Sequence, residues 1–381
     1  MMKKAMLLLA AAASATAIFA ADIPKTNLSK LYEGDFLIGV ALPQYITSQP
    51  NSERAKFAAS QFNCLTPENL MKWDATEPQE GKFNFGPSDD LVKYAQKNRM
   101  KIHGHTLIWH SQTPDWVFKG PDGKQATREL VLDRMKKHID TVMKRYKGKI
   151  DAWDVVNEAF NEDGTLRNSK WKQIVGDDFI EKAFTFARAA DPTAKLVYND
   201  YNAYNPSKRD GIAKLARELK KKGLIDAVGM QGHWQLGHPD AKLIEEAIKK
   251  YAAAGVQVMV TEMDIDVLPS AGYTGADISQ SREYQDALNP YTQGLPDDVS
   301  KKLADRYVSL FKVFLKNSKN IYSVTVWGLD DGSSWLNGFP VKNRTNHPLF
   351  FDRQLNKKQC YDALVELKQP ARPNPLKRAG N

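Results

Sequence analysis

Short apolar runs alternate along this chain with longer stretches in which apolar side chains recur every three or four positions. The short runs, rich in β-branched residues, predict strands at 36–41, 63–66, 101–105, 150–156, 195–199, 227–231, 256–261 and 323–327. The longer stretches predict helices, clearest at 128–146, 178–190, 242–254 and 300–315. Asp191-Pro192 and Gly255 stop two of these. Eight strand–helix units within about 340 residues, with no Pro/Ser-rich linker between them, predict one α/β domain folded as a single closed (β/α)8 barrel, a TIM barrel. A doubly wound open sheet is the alternative. It calls for a glycine-rich turn after its first strand, and Gly39-Val40-Ala41-Leu42 is not one. One stretch breaks the rhythm: Val267 to Asp298 is long, polar and turn-rich, with Gly272, Gly275, Pro290, Gly294 and Pro296. It predicts an enlarged loop after the seventh strand.

The first twenty residues stand apart from this pattern. Lys3 and Lys4 precede an apolar run from Met6 to Ala13, and small residues follow. Such a segment predicts a secretory signal peptide over residues 1–20, with cleavage after Ala17 or Ala20. The run is too short to span a bilayer. The remaining residues, 21–381, are then the barrel of an exported protein, periplasmic or extracellular, with no membrane partner after cleavage.

Composition changes this picture little. Aromatic residues make up 10% of the 381-residue chain, which excludes a disordered or low-complexity protein. The formal net charge is +9, and removal of Lys3 and Lys4 takes it to +7. Much of the excess lies in runs such as Lys220-Lys221-Lys222, which are solvated helix faces. No nucleic-acid motif accompanies them, so no nucleic-acid partner is expected. Cys64 and Cys360 are far apart in sequence and could pair in an exported protein. A buried free thiol is equally natural for Cys64, which sits in an apolar stretch.

In a barrel of this kind chemistry collects at the carboxyl ends of the strands. Polar and aromatic residues gather where the predicted strands stop. The second ends in Glu68-Asn69, with Lys72 beyond; the third runs into His105 and Trp109; the fourth ends in Asn157-Glu158. Asn199-Asp200-Tyr201-Asn202 ends the fifth, Gln231-Gly232-His233-Trp234 the sixth and Glu262-Met263-Asp264 the seventh. Trp327 ends the eighth, and Trp335 follows it. Glu158 and Glu262 each follow a β-branched run. Two carboxyl groups flanking a scissile bond, one protonated and one ionised, are what glycoside hydrolysis requires. Strands four and seven face each other across a barrel mouth, and rigid strand ends hold such a pair well. Trp109, Trp327 and Trp335 offer flat faces for sugar rings. Glu68, Asn69, Lys72, His105 and Gln231 offer partners for hydroxyls. Asn157 is placed to bond the 2-hydroxyl of the sugar at the cleavage point, and His233 to bridge Glu262 and Asp264.

These segments resemble glycoside hydrolase family 10, whose members are mostly endo-β-1,4-xylanases. WDVVNE at Trp153–Glu158 and TEMD at Thr261–Asp264 carry most of the resemblance. ENLMKW at Glu68–Trp73, GHTLIWH at Gly104–His110, YNDYN at Tyr198–Asn202, QGHW at Gln231–Trp234 and VTVWGLDDGSSW at Val324–Trp335 follow in the family's order. The resemblance implies Glu158 as acid/base and Glu262 as nucleophile. It implies that Glu68, Asn69 and Lys72 hold the sugar two units to the glycone side. His105, Trp109, Asn157, Gln231, His233, Trp327 and Trp335 would shape the neighbouring sites, and Tyr201 would contact the aglycone. It also implies xylan and xylo-oligosaccharides as partners, no cofactor and a monomer. The loop from Val267 to Asp298 departs from the family pattern and leaves the aglycone contacts open. His103-Gly104-His105 lies on the third strand rather than the first, so no metal is expected. A cellulase of the same fold, or a non-catalytic glycan-binding protein, remains the alternative; intact carboxylates argue against the second.

Overall fold

The structure is a computed structural model that describes residues 27–272, 277 and 281–369. The proposed signal peptide and the last twelve residues lie outside the described residues. Eight strands form the barrel: β1 (Leu37–Leu42), β2 (Cys64–Pro67), β3 (Lys101–Gly104), β4 (Ala152–Asn157), β5 (Lys195–Asp200), β6 (Ala227–Met230), β7 (Gln257–Asp266) and β8 (Ile321–Val326). Each pairs in parallel with the next, and β8 closes the ring on β1 through Leu37↔Ser323 to Val40↔Val326. The expected (β/α)8 barrel is what the chain forms.

Parallel strands covered on both faces read as continuous apolar runs, and all six residues of β4 are buried. The amphipathic helices lay their apolar stripes on the outside of this ring. Arg128–Tyr146 starts at Thr127, whose hydroxyl accepts the amide N–H of Leu130 at 3.3 Å. Phe179–Ala190 and Ala241–Ala253 match the sequence expectation to within a residue. Asp297–Lys316 begins three residues earlier than its apolar period, at Pro296-Asp297-Asp298, where two acidic residues suit the positive end of the helix dipole.

Two departures matter for the site. Strand β7 runs to Asp266, five residues past its apolar run, because the short strand His233–Gln235 pairs with Asp264–Asp266 and satisfies its backbone. Glu262 therefore sits within a paired strand and not at its frayed end. Among the described residues of the stretch after β7 there is, as expected, no long element. One 3-10 turn at Asp286–Leu288 is described before the helix that starts at Asp297, and residues 273–276 and 278–280 lie outside the described residues. Cys64 and Cys360 are both buried and free, so the possible disulfide does not form. Among the described residues no helix is long and apolar enough to cross a membrane.

Candidate active site

The carboxyl ends of the strands surround a cleft of about 190 Å³. Its walls hold Glu158, Glu262 and ten of the eleven residues expected to contact substrate: Glu68, Asn69, Lys72, His105, Trp109, Asn157, Gln231, His233, Trp327 and Trp335. The eleventh, Tyr201, stands outside that wall. Its hydroxyl accepts a hydrogen bond from Arg167 at 2.6 Å, and Lys208 Nζ lies 3.7 Å from its ring centre. Gln112, which was not foreseen, completes the lining.

Glu158 follows the last residue of β4 and takes a positive φ of 57°. This turns its carboxyl away from the strand direction and into the cleft, where it is 5% exposed. Trp109 Nε1 donates to Oε2 and Gln231 Nε2 to Oε1, both at 2.8 Å. Burial raises the pKa of Glu158, and the charges of Asp200 and Glu262 add to it. The two hydrogen bonds pull the other way, and the balance lies at about 7. Glu158 therefore keeps its proton well above the ordinary carboxylate range.

Glu262 is as deeply buried, yet its proton affinity goes down. Burial alone would raise it. The hydrogen bond from His233 and the electrostatic pull of His105 and His233 outweigh that cost. His233 Nε2 lies 3.2 Å from Glu262 Oε2, and Nδ1 lies 3.0 Å from Asp264 Oδ2. Burial disfavours the imidazolium, but the two carboxylates prevail and lift the pKa of His233 to about 10. The bridge expected from the sequence is thus present, and it carries a positive charge. Trp335 Nε1 donates to the same Asp264 oxygen at 2.8 Å, and its ring stacks on Phe339.

A chain of amides links the two glutamates. Asn199 Nδ2 donates to Glu262 Oε1 at 2.8 Å and to Asn157 Oδ1 at 3.0 Å, and Gln231 Nε2 reaches Asn157 Oδ1 at 3.4 Å. Thr261 Oγ1 donates to Asn199 Oδ1 at 2.7 Å and fixes which end of the amide faces Glu262. A Cβ at Gly229 would overlap the Asn199 side chain, so the glycine in β6 leaves room for this amide inside the barrel.

Asn199 and Asp154 are buried polar residues tied into the site that the sequence reading did not single out as site residues. Asp154 bridges His103 Nε2 at 2.9 Å and His105 Nδ1 at 2.8 Å. The available signal was a carboxylate and an amide inside runs otherwise apolar, since a polar residue in a fully buried strand must find a partner. On the opposite wall Lys72 Nζ donates to Asn69 and Gln112, each at 2.8 Å, and lies 5.0 Å from the Trp109 ring centre. Burial lowers the pKa of Lys72, against the pull of Glu262, Glu68 and Glu158. Burial raises that of Glu68, and Lys72 opposes it.

The comparisons agree with this geometry. Residues 27–367 match the model of glycosyl hydrolase family 10. The endo-1,4-beta-xylanase A of Xylanibacter ruminicola is 45% identical over 334 residues, covering 87% of this chain and 90% of that one. The endo-1,4-beta-xylanase of Geobacillus stearothermophilus is 39% identical over 90% of this chain and 98% of its own. Among solved structures, a GH10 endoxylanase retrieved from a sugarcane soil metagenome superposes with a TM-score of 0.86 at 44% identity, over 90% of this chain and all of that one. The family match spans the whole described barrel, and sequence and structural relatives point the same way: the chain belongs to glycosyl hydrolase family 10.

Proposed function

We propose that this protein is a retaining endo-β-1,4-xylanase that cleaves internal bonds of xylan by double displacement, with Glu158 as acid/base and Glu262 as nucleophile. The observation that carries the assignment of roles is the opposed proton affinity of two equally buried carboxyls, about 7 for Glu158 and below the ordinary value for Glu262. In the first step ionised Glu262 attacks the anomeric carbon while Glu158 gives its proton to the departing glycosidic oxygen. Glu262 is then neutral as an ester, the repulsion on Glu158 falls, and Glu158 ionises more readily. In the second step Glu158 takes a proton from water, whose oxygen displaces Glu262 and restores the β-configuration.

The remaining lining residues bind the polymer on this reading. Asn157 has its Oδ1 engaged by two amides, which leaves Nδ2 to donate to the 2-hydroxyl. Glu68, Asn69, Lys72 and Gln112 form one polar wall for glycone hydroxyls. Trp327 and Trp335 face a sugar ring, while Trp109 serves first to hold Glu158. Tyr201 is left to the aglycone side, beside Arg167. Residues 1–20 serve as an export signal, and the barrel acts outside the cytoplasm on xylan and xylo-oligosaccharides as a monomer without a cofactor.

The test is NMR of the products formed from β-1,4-xylan oligosaccharides, with carboxymethylcellulose as a second substrate. Retention places the β-anomer first, before mutarotation. An initial α-anomer overturns the mechanism, and faster attack on carboxymethylcellulose than on xylan makes the protein a cellulase.

A further inference from the structure

Glu158 occupies a backbone conformation that a glutamate adopts reluctantly, and the peptide that follows it is tied to a buried relay outside the substrate cleft. The Tyr198 hydroxyl accepts the amide N–H of Ala159 at 2.9 Å and donates to Asp200 Oδ2 at 2.6 Å. Lys208 Nζ lies 2.8 Å from Asp200 Oδ1 and 3.2 Å from Glu162 Oε1, which returns to the loop that carries Glu158. Tyr198, Asp200 and Lys208 are each 0% exposed. From the other side Glu158 N donates to Asn199 O at 2.9 Å. Both peptides of the acid/base are thus fastened to β5, one by a main-chain bond and one by a side chain. A hydroxyl that could rotate freely would hold the second peptide poorly. Asp200 accepts the hydrogen bond of that hydroxyl, so its lone pairs face Ala159, and Lys208 holds Asp200 in turn.

We propose that Tyr198, oriented by Asp200 and Lys208, is a positioning residue for the acid/base: it locks the turn after Glu158 and so aims the carboxyl at the glycosidic oxygen. Asp200 has a second effect through its charge, since it is the largest of the charges that raise the proton affinity of Glu158. Burial raises the pKa of Asp200 itself, opposed by Lys208, Tyr198 and Arg167. The groups around Glu158 are Glu262 on β7, Asp200 and Tyr198 on β5, Tyr201 just beyond it and Lys208 on the following helix. Arg167 and Glu162 lie on its own loop, His110 after β3 and Lys72 after β2. Loss of the Asp200 charge should move the titration of Glu158 down.

The inference rests on the proposed role of Glu158, and the experiment separates the two. Tyr198→Phe, Asp200→Asn and, as reference, Glu158→Ala are assayed for kcat/KM on aryl β-xylobiosides whose leaving groups range from phenol to dinitrophenol. Acid assistance matters for phenol and hardly for dinitrophenol. Tyr198→Phe is expected to lose roughly 10-fold on the phenyl substrate, part of the 10²–10⁴ that acid catalysis supplies, and several-fold less on the dinitrophenyl one. Asp200→Asn should shift the basic limb of its pH profile to lower pH. A structural defect alone would lower every substrate alike and leave the limb in place, and that result overturns the proposal. A wild-type-like Tyr198→Phe does so as well. If Tyr198→Phe does not fold, the leaving-group dependence of Asp200→Asn decides, because Asp200 orients the same hydroxyl: an equal loss on phenyl and dinitrophenyl substrates overturns the proposal. If Glu158→Ala itself shows no dependence on leaving group, the role of Glu158 has failed rather than the relay.

Discussion

Glu158→Gln should make the protein more stable at alkaline pH, by an amount that follows from the proton affinity of the acid/base. A glutamate in the unfolded chain titrates near its ordinary value of 4.5, and in the fold Glu158 titrates at about 7. At about 1.4 kcal/mol for each pH unit, that rise is worth about 3 kcal/mol. The sign is fixed by linkage. Below about pH 4.5 the side chain is protonated in both states and the two proteins are equally affected. Between 4.5 and 7 the unfolded chain has released its proton while the fold retains it, so the stability of the parent falls relative to the variant. Above 7 the full difference of about 3 kcal/mol persists. Glutamine keeps an oxygen for Trp109 Nε1 and carries no charge to desolvate beside Asp200 and Glu262. For a barrel of roughly 340 residues, 3 kcal/mol corresponds to a rise in Tm of about 4 °C. Thermal melts of parent and variant at pH 4.5 and pH 8 measure it. A Tm difference that is the same at both pH values refutes the buried, raised Glu158.

Other outcomes follow from the same site. The basic limb of kcat/KM for the parent should fall near pH 7, where Glu158 loses its proton, and should vanish in Glu158→Ala assayed with a dinitrophenyl xylobioside. His233→Asn removes the charge that holds Glu262 low, so the acidic limb should move to higher pH; an unmoved limb would separate His233 from the nucleophile. Azide should restore turnover of Glu158→Ala on the dinitrophenyl substrate with a β-glycosyl azide as product, whereas any rescue of Glu262→Ala should give the α-azide; the opposite pairing would reverse the assignment, and identical stereochemistry in both would overturn it. Gly229→Ala would crowd Asn199, and its kcat should drop by more than its Tm shift explains.

Much of the barrel was legible because each element carries its own period. The helix at Arg128–Tyr146 needs only its apolar stripe to declare its extent. The extent of β7 was not legible, since Asp264 and Asp266 interrupt the apolar run that Val258, Met259 and Val260 begin. What extends that strand is a partner about thirty residues earlier in the chain, His233–Gln235, and a one-dimensional pattern contains no pairing. The partners of Tyr201 were not legible either: Arg167 comes from the loop after β4 and Lys208 from the helix after β5, a meeting of separate segments that spacing cannot reveal.

The proposed division of labour between the glutamates shows where sequence reasoning stops for a physical reason. Both follow β-branched strands, both are buried, and desolvation pushes both proton affinities the same way. Nothing in Val155-Val156-Asn157-Glu158 or Val260-Thr261-Glu262 distinguishes an acid from a nucleophile. The distinction is made by neighbours drawn from other strands: Asp200 from β5 against Glu158, and His105 from the end of β3 with His233 from the segment after β6 in favour of ionised Glu262. Each of those is in turn held by a further buried group, Lys208 for Asp200, Asp154 for His105 and Asp264 for His233. A barrel brings eight strand ends to one rim, so a carboxylate there can be tuned by residues more than a hundred positions away, while the segment that bears it reads much like its counterpart. Roles at this rim therefore belong to the ring of partners: a substitution at Asp200 should lower the proton affinity of Glu158 and one at His233 should raise that of Glu262, each narrowing the gap between the two glutamates.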